Sequence, residues 1–290
     1  MRARVALCGA VAAVALTATA VAQAPAPRGN FGGGALVAPP RDLFGPGNAV
    51  VALRALPERK LQIEATVRGS CAGGEIAADA QIAADGSFGA KGTARTKPDR
   101  SVKVTTRYRI AGMFSSATAA GGTLSATIER TADGRTRRCR SGTVTFGARR
   151  PQGVIGAPGA RPRARYYGAT SQRGVGPRRP IVLRVSADGL VISRALFGES
   201  VRCSDDTRAS GIEAPRTNAA IDSKGRVNDR ERFTVRSGET LVKVDDRFTA
   251  QLGATGARGT FSLSDRTVDK ATGNVIQSCK SGRIRWTAAR

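Results

Sequence analysis

The sequence predicts an all-β protein of two tandem antiparallel β-sandwich domains, each with one intradomain disulfide, behind a cleaved signal peptide. Apolar and polar side chains alternate with the two-residue period of strands, as in 102–110. Asp-Gly pairs, which suit tight hairpin turns, recur along the chain. The tail 279–290 repeats 139–150: both read Cys, a basic residue, Ser and Gly, followed by an alternating strand. After residue 24 no long stretch has helical periodicity.

The beginning of the chain is predicted to direct export. Residues 1–24 combine a short basic start, a weakly apolar run and the small-x-small sequence Ala22-Gln23-Ala24, which is the pattern of a secretory signal peptide. The alternative is an uncleaved membrane anchor. Residues 25–45 are rich in Pro and Gly and are predicted to be a poorly ordered leader, whose end could join the first domain as an edge strand.

The rest of the chain divides into two copies of one domain. Residues 46–150 form the first predicted domain and residues 166–290 the second. Residues 151–165, rich in Pro and Arg, are predicted to be a stiff, solvated linker. Apolar strand segments, Gly-containing turns and cysteines recur in the same order in both copies, so we infer that a whole domain was duplicated.

The cysteines favour an oxidising compartment. The sequence has five cysteines, and removal of Cys8 with the signal peptide leaves an even number, as expected for disulfides in an exported protein. Four cysteines allow three pairings. The repeat selects one of them, because each copy has one early and one late cysteine. We therefore predict the disulfides Cys71–Cys139 and Cys203–Cys279, each contributing about 4 kcal/mol in the chain-entropy model.

The closing strand of each copy carries an aromatic residue. Phe146 and Trp286 each lie seven residues after the late cysteine of their copy. Alternation places Trp286 on the same face as Ile284 and Ala288, so both aromatics are predicted to pack in the core near the disulfide. The alternative is an exposed aromatic platform for a sugar.

The charge suggests an anionic partner. The formal net charge is +25, with 47 Lys and Arg against 22 Asp and Glu. Such an excess is typical of proteins that bind a cell-wall polymer, an acidic polysaccharide, acidic lipid or nucleic acid. A simpler interpretation is that arginine fills permissive surface positions, because Arg far outnumbers Lys and the excess is spread over both copies. Nucleic acid is the least favoured partner, since aromatics are only 4% of the residues.

Two predicted strands carry the best candidate contacts with a polyanion. On each of them, basic residues alternate with residues expected in the core, so the basic side chains should point outward. The alternative is that these rows are solvated strand faces that discourage edge-to-edge aggregation. The candidates are Lys103, Arg107, Arg109, Arg283 and Arg285.

The chemistry available for catalysis is limited. The sequence has no histidine, which excludes Ser-His-Asp and Cys-His catalysis and every His-ligated metal site. Ser-x-x-Lys, Gly-x-Ser-x-Gly and P-loop patterns are also absent. The doublets Asp205-Asp206 and Asp245-Asp246 remain, but adjacent strand residues face opposite ways, so neither forms the facing pair of a glycosidase. Calcium at Asp205-Asp206 lacks a supporting loop pattern. We predict no enzyme activity, catalytic residue, metal or cofactor.

Four stretches of the second copy carry a resemblance to known proteins: 167–172, 181–189, Cys203 and 279–286. They resemble secreted proteins of high-GC bacteria whose β-sandwich modules have no assigned activity. The resemblance implies an exported module and brings no catalytic residues. It covers 166–290 well and 46–150 weakly. Immunoglobulin domains are a looser likeness, because they also have a disulfide across the sandwich.

Together these observations predict a secreted, non-enzymatic protein with an interaction or structural role at the cell envelope. Its expected partner is an anionic cell-wall polymer or polysaccharide, and its expected location is extracellular or in the envelope (the periplasm if the host has an outer membrane). Two alternatives remain open: a carbohydrate-active enzyme that uses carboxylates on a β-sandwich, and a secreted binder of polyanions or nucleic acid.

Overall fold

The computed structural model describes residues 27–36, 47–97, 102–213 and 218–290. Apart from a single 3-10 turn at Pro57–Arg59, the regular elements in these ranges are all strands, which confirms the predicted all-β class. Within the same ranges, no helix is long and apolar enough to cross a membrane. The predicted signal peptide lies outside the described residues.

The strands of the first half form one antiparallel sheet of eight strands, in the order β4-β3-β2-β1-β8-β7-β6-β5. A sandwich would have two separate facing sheets, so that part of the prediction is not confirmed. The sheet instead curls around its core. The strands are β1 (Gly29–Ala35), β2 (Ala49–Ala55), β3 (Lys60–Arg68), β4 (Gly73–Gln81), β5 (Ser87–Thr96), β6 (Lys103–Ser116), β7 (Ala119–Ala132) and β8 (Arg135–Arg149).

The second half repeats this order, with the place of β8 shared by two short strands, β17 and β18. Strand β17 pairs with both β11 and β16, so hydrogen bonding runs round a closed ring of strands, β9-β10-β11-β17-β16-β18. The strands are β9 (Arg165–Arg173), β10 (Arg178–Val185), β11 (Val191–Cys203), β12 (Arg208–Glu213), β13 (Ala219–Ala220), β14 (Arg226–Ser237), β15 (Thr240–Leu252), β16 (Gly256–Asp269), β17 (Val275–Lys280) and β18 (Ile284–Ala289).

The register of pairing is equivalent in the two halves. Phe146 lies opposite Gly122 in the first sheet, and Trp286 lies opposite Gly259 in the second. Both aromatic rings are buried, and Trp286 stacks on Phe248 with 5.7 Å between ring centroids. Burying each such ring contributes about 1.5–3 kcal/mol. The prediction that the closing aromatics belong to the core is therefore confirmed.

Both predicted disulfides are present. Cys71 is bonded to Cys139, and Cys203 is bonded to Cys279. They close loops with sequence separations of 68 and 76 residues. In the second half the bond joins directly paired residues of β11 and β17, so it fastens the same contact that closes the ring of strands.

Part of the segment predicted as a leader is an interior strand. Strand β1 lies between β2 and β8, and its glycines allow the close approach this position requires. A Cβ on Gly32 would lie 1.8 Å from the carbonyl oxygen of Gly168 in β9, and one on Gly33 would lie 2.0 Å from that of Gly147. A larger residue at either position would collide with backbone. Gly32, part of the glycine run that suggested disorder, therefore lets the two halves pack together.

The two halves pack through sheet faces that the alternation pattern did not reveal. The side chains of Leu36 and Val50 in the first half cluster with Val182 and Leu196 in the second, and all four are buried. At the rim, Glu64 accepts a hydrogen bond from the Gly176 backbone N–H at 2.8 Å. Strands β2 and β10 are consequently buried on both faces, one against their own core and one against the other half.

The predicted linker is hydrogen-bonded to the second half over part of its length. The Gly159 N–H donates to the Leu252 carbonyl at 3.2 Å, and the Ala254 N–H donates to the Ala157 carbonyl at 2.9 Å. Ala164 is buried. These contacts fix the segment against the second sheet, so in the structure it is not a freely solvated spacer.

Candidate anion-binding surfaces

The first candidate surface lies on the outer face of the first sheet. Lys103, Arg107 and Arg109 alternate along β6 with inward-facing residues, and all three are exposed. Pairing register brings Arg138 and Arg140 of β8 to the same face across β7. Lys91 of β5 lies directly opposite Arg109. We call these six residues the first basic face: Lys91, Lys103, Arg107, Arg109, Arg138 and Arg140.

A single carboxylate partly neutralises this face. Glu129 accepts from Arg107 at 2.8 Å and lies 3.7 Å from the Arg138 guanidinium. Among the described residues no carboxylate forms an ion pair with Lys103, Arg109 or Arg140. Like charges directly opposite each other, as in the Lys91–Arg109 pair, destabilise a sheet. The fold therefore gains nothing from this arrangement, and an anionic partner would relieve the repulsion.

The second candidate surface is a groove of about 880 Å³ on the outer face of the second sheet, within the size range of ligand pockets. It crosses β14, β15, β16 and β18 near one end of the molecule. Guanidinium groups point into it together with hydroxyl and amide groups, and we call these hydroxyl and amide groups its floor. We call this the arginine groove, and the residues that point into it are Arg226, Asn228, Thr249, Gln251, Arg258, Thr260, Arg285 and Thr287.

The arginines of the groove differ in their partners. Arg226 is held by Asp222, with 2.7 Å between Nε and Oδ2. Arg258 and Arg285 are exposed and have no ion-pair partner among the residues the structure describes. On the floor, the hydroxyls of Thr249 and Thr260 are 2.8 Å apart and hydrogen-bonded. Two guanidinium groups thus remain available to an anion.

The positions that line the arginine groove carry different residues in the first half. Because the registers are equivalent, the positions of Arg226, Arg258 and Arg285 correspond to Ser87, Gly121 and Thr145. A Cβ on Gly147, which corresponds to Thr287, would lie 3.1 Å from the Tyr167 ring of the other half. The shared fold therefore does not require the three arginines, and the matching place in the first half borders the junction between the halves.

The structure separates the predicted contacts into two groups. Lys103, Arg107 and Arg109 lie together on the first basic face, whereas Arg285 lies in the arginine groove of the other half. Arg283 is exposed in the short turn before β18 and lies outside that groove. The sequence reasoning missed Arg258. It lies directly before Gly259, the counterpart of Gly122 in the first copy, so comparing the two copies position by position would have singled it out.

The Asp245-Asp246 doublet has one residue on each side of the sheet. Asp245 points outward and pairs with Arg230 and with Arg232 (3.0 Å), and the hydrogen bonds from these guanidiniums lower its pKa to about 2. Asp246 points inward and is only 2% exposed. Burial, with repulsion from Glu231 directly opposite on β14, raises the Asp246 pKa to about 6. The prediction that the two carboxylates of this doublet face opposite sides of the sheet is confirmed.

The Asp205-Asp206 doublet stabilises a turn. The Asp205 carboxylate accepts from the Thr207 N–H at 3.1 Å and from the Thr207 hydroxyl at 2.6 Å, which lowers its pKa. Asp206 pairs with Arg202 at 2.7 Å. In the described ranges, no group of three or more acidic or cysteine side chains is placed to hold a metal ion.

Comparisons with known proteins add little. No protein-family model matches the chain, and no curated protein matches it. The solved structures that align include the crystal structure of CghA with Sch210972 (8% identity, 90% of this chain and 87% of that chain, TM-score 0.19) and the crystal structure of CghA (9% identity, the same coverage, TM-score 0.18). At these TM-scores the likeness carries no argument about fold or function.

Proposed function

We propose that this is a secreted, non-enzymatic protein that binds an anionic cell-wall polymer or polysaccharide at the cell envelope through its basic sheet surfaces. The observation that carries the proposal is the first basic face, where six exposed cations share one sheet surface and, among the carboxylates that the structure describes, Glu129 alone pairs with them. Without Arg2 and Arg4 of the signal peptide the formal charge is 25 − 2 = +23, which would strengthen long-range attraction to such a polymer.

Export is part of the proposal. It is supported by the signal-peptide pattern in residues 1–24 and by two disulfides, which form and persist in oxidising compartments. Cleavage of the signal, a location outside the cell or in the envelope, and descent of the two halves from one duplicated all-β module belong to the same proposal. The equivalent pairing registers of the two sheets support the duplication.

Surface cations act collectively in this proposal. A single exposed ion pair contributes roughly 0–1 kcal/mol, so one arginine would not hold a ligand. A polymer with regularly spaced negative charges can engage several cations at once, and each contact after the first is effectively intramolecular. A broad sheet face with cations on neighbouring strands suits an extended chain better than a compact ligand.

The enzymatic alternative has one feature to consider. Glu231 and Asp246 face each other across β14 and β15 and come nearest to the paired carboxylates of a glycosidase. With Asp246 only 2% exposed, a sugar could not reach the pair without local opening of the sheet. The absence of histidine from the sequence also supports a non-enzymatic role.

Retention on an immobilised acidic polysaccharide tests the proposal. We expect the native protein to bind immobilised polygalacturonate but not neutral dextran, and to elute when salt screens the charges. The variant K103Q/R107Q/R109Q should elute at clearly lower salt. The control R161Q/R163Q loses charge in the segment between the halves and should elute close to the native protein.

Two results would contradict the proposal. If the native protein passes through the polygalacturonate column at low salt, it does not bind anionic polysaccharide. If both variants shift in proportion to the number of charges removed, net charge alone explains retention, and the first basic face is not a binding surface. Tighter retention on immobilised DNA than on polygalacturonate would instead favour the nucleic-acid alternative.

A further inference from the structure

We propose that the arginine groove of the second half is a subsite for one acidic sugar unit, with Arg258 and Arg285 binding its carboxylate. This inference deepens the proposed function and rests on it. The first basic face would attract the polymer through many weak contacts, whereas the groove would recognise the chemistry of a single unit. Three aspects of the groove support this division.

The first aspect is the placement of the two unpaired guanidiniums. Arg258 lies opposite Thr287, and Arg285 lies opposite Thr260, so the two arginines are diagonal neighbours on β16 and β18. Diagonal neighbours on one sheet face are about 7–8 Å apart, which is within reach of long side chains. Arginine side chains that start from backbone positions this close are long enough to converge on one carboxylate, and arginine binds carboxylates through paired, charge-assisted hydrogen bonds.

The second aspect is the chemistry of the floor. Thr249, Thr260, Thr287 and Asn228 present hydroxyl and amide groups, which can both donate and accept hydrogen bonds. These groups suit the hydroxyls of a sugar ring. Trp286 borders the groove but is only 2% exposed, so no aromatic face is available there for stacking a base. The lining thus favours a hydroxyl-rich anion over a nucleotide.

The third aspect is the comparison between the halves. The first half folds into the same strand order with Ser87, Gly121 and Thr145 in place of the three groove arginines. The arginines of the second half are therefore not needed to build the sheet. Exposed like charges on neighbouring strands carry a cost, and binding of an anion would offset it.

The sole tryptophan offers a direct test. The sequence contains one Trp, and Trp286 lies between the groove residues Arg285 and Thr287 on β18. A short oligogalacturonate is titrated into the full-length protein while Trp286 fluorescence is recorded. We expect a saturable change that a neutral maltooligosaccharide of the same length does not produce. The variant R258Q/R285Q should weaken the affinity by about tenfold or more, as expected for the loss of charge-assisted hydrogen bonds.

The control variant is R161Q/R163Q, which removes the same charge from the segment between the halves, outside both basic surfaces. It should bind the short oligosaccharide with nearly native affinity. Native-like affinity of R258Q/R285Q, or equal affinity of the native protein for the neutral oligosaccharide, would overturn the inference. If the native protein is retained on polygalacturonate and R258Q/R285Q binds the oligogalacturonate with native affinity, only the groove proposal is refuted. Failure of retention itself refutes the proposed function.

Discussion

Replacing Asp246 with asparagine should stabilise the protein at neutral pH. The carboxylate is 2% exposed, its Oδ2 has no hydrogen-bond partner among the described residues, and Glu231 lies directly opposite. Burial raises its pKa from 3.8 to about 6. A difference of about two pKa units corresponds to roughly 3 kcal/mol of stability that is lost when the carboxyl ionises.

The direction of the pH dependence follows from the linkage between proton binding and folding. The folded-state pKa is higher than the unfolded one, so the buried acid is best tolerated below about pH 4, and stability falls as the pH rises towards about 6. Asparagine cannot ionise, and its carbonyl can still accept the hydrogen bond that the Glu231 backbone N–H donates to Asp246. Burying the amide costs about 1 kcal/mol. We therefore expect the free energy of unfolding of D246N to exceed that of the native protein by about 2 kcal/mol at pH 7.5 and by almost nothing at pH 4.

Urea unfolding monitored by Trp286 fluorescence measures this gain, because that ring belongs to the core of the second half. The neighbouring residue supplies a matched control. Asp245 pairs with Arg230 and Arg232 on the outer face, and D245N should lose up to about 1 kcal/mol at pH 7.5. The reasoning is refuted if D246N is less stable than the native protein at pH 7.5, or if its gain is the same at both pH values.

Two further predictions concern the junction and the disulfides. G32A should destabilise the protein by more than about 3 kcal/mol, because the added Cβ would overlap the Gly168 carbonyl oxygen. The control G89A adds a Cβ that meets only ordinary contacts and should change stability by less than about 1 kcal/mol. Equal unfolding midpoints for the two variants would refute the packing of the halves. C203S/C279S should lower the free energy of unfolding by about 4 kcal/mol under oxidising conditions. A urea unfolding midpoint equal to that of the native protein would contradict a structural role for that bond.

Local alternation predicted much of each half. Trp286 and Ile284 point into the core as expected, because one buried face fixes the two-residue period. The disulfides followed from the repeat, since equivalent folds place equivalent cysteines in contact. Pairing order could not be derived in this way: the strands of a sandwich and those of a curled single sheet have the same alternation.

The sequence did not reveal the contacts between the halves, because each local pattern there is compatible with two different structures. The run Ala49–Leu53 is apolar at consecutive positions, which indicates burial on both faces as well as a strand. Glycines in 32–34 indicated a flexible leader, although close backbone approach also requires glycine. The cross-strand partners of Asp246 and Arg258 depend on register, which no single strand specifies.

Arginine footprinting tests the central claim most directly. Phenylglyoxal modifies accessible guanidiniums, and mass spectrometry reports the extent of modification at each site with and without polygalacturonate. The account predicts that the polymer protects Arg107 and Arg109 on the first basic face and Arg258 and Arg285 in the arginine groove, while Arg161 between the halves reacts as before. Equal protection of all five arginines, or protection of none, would contradict it.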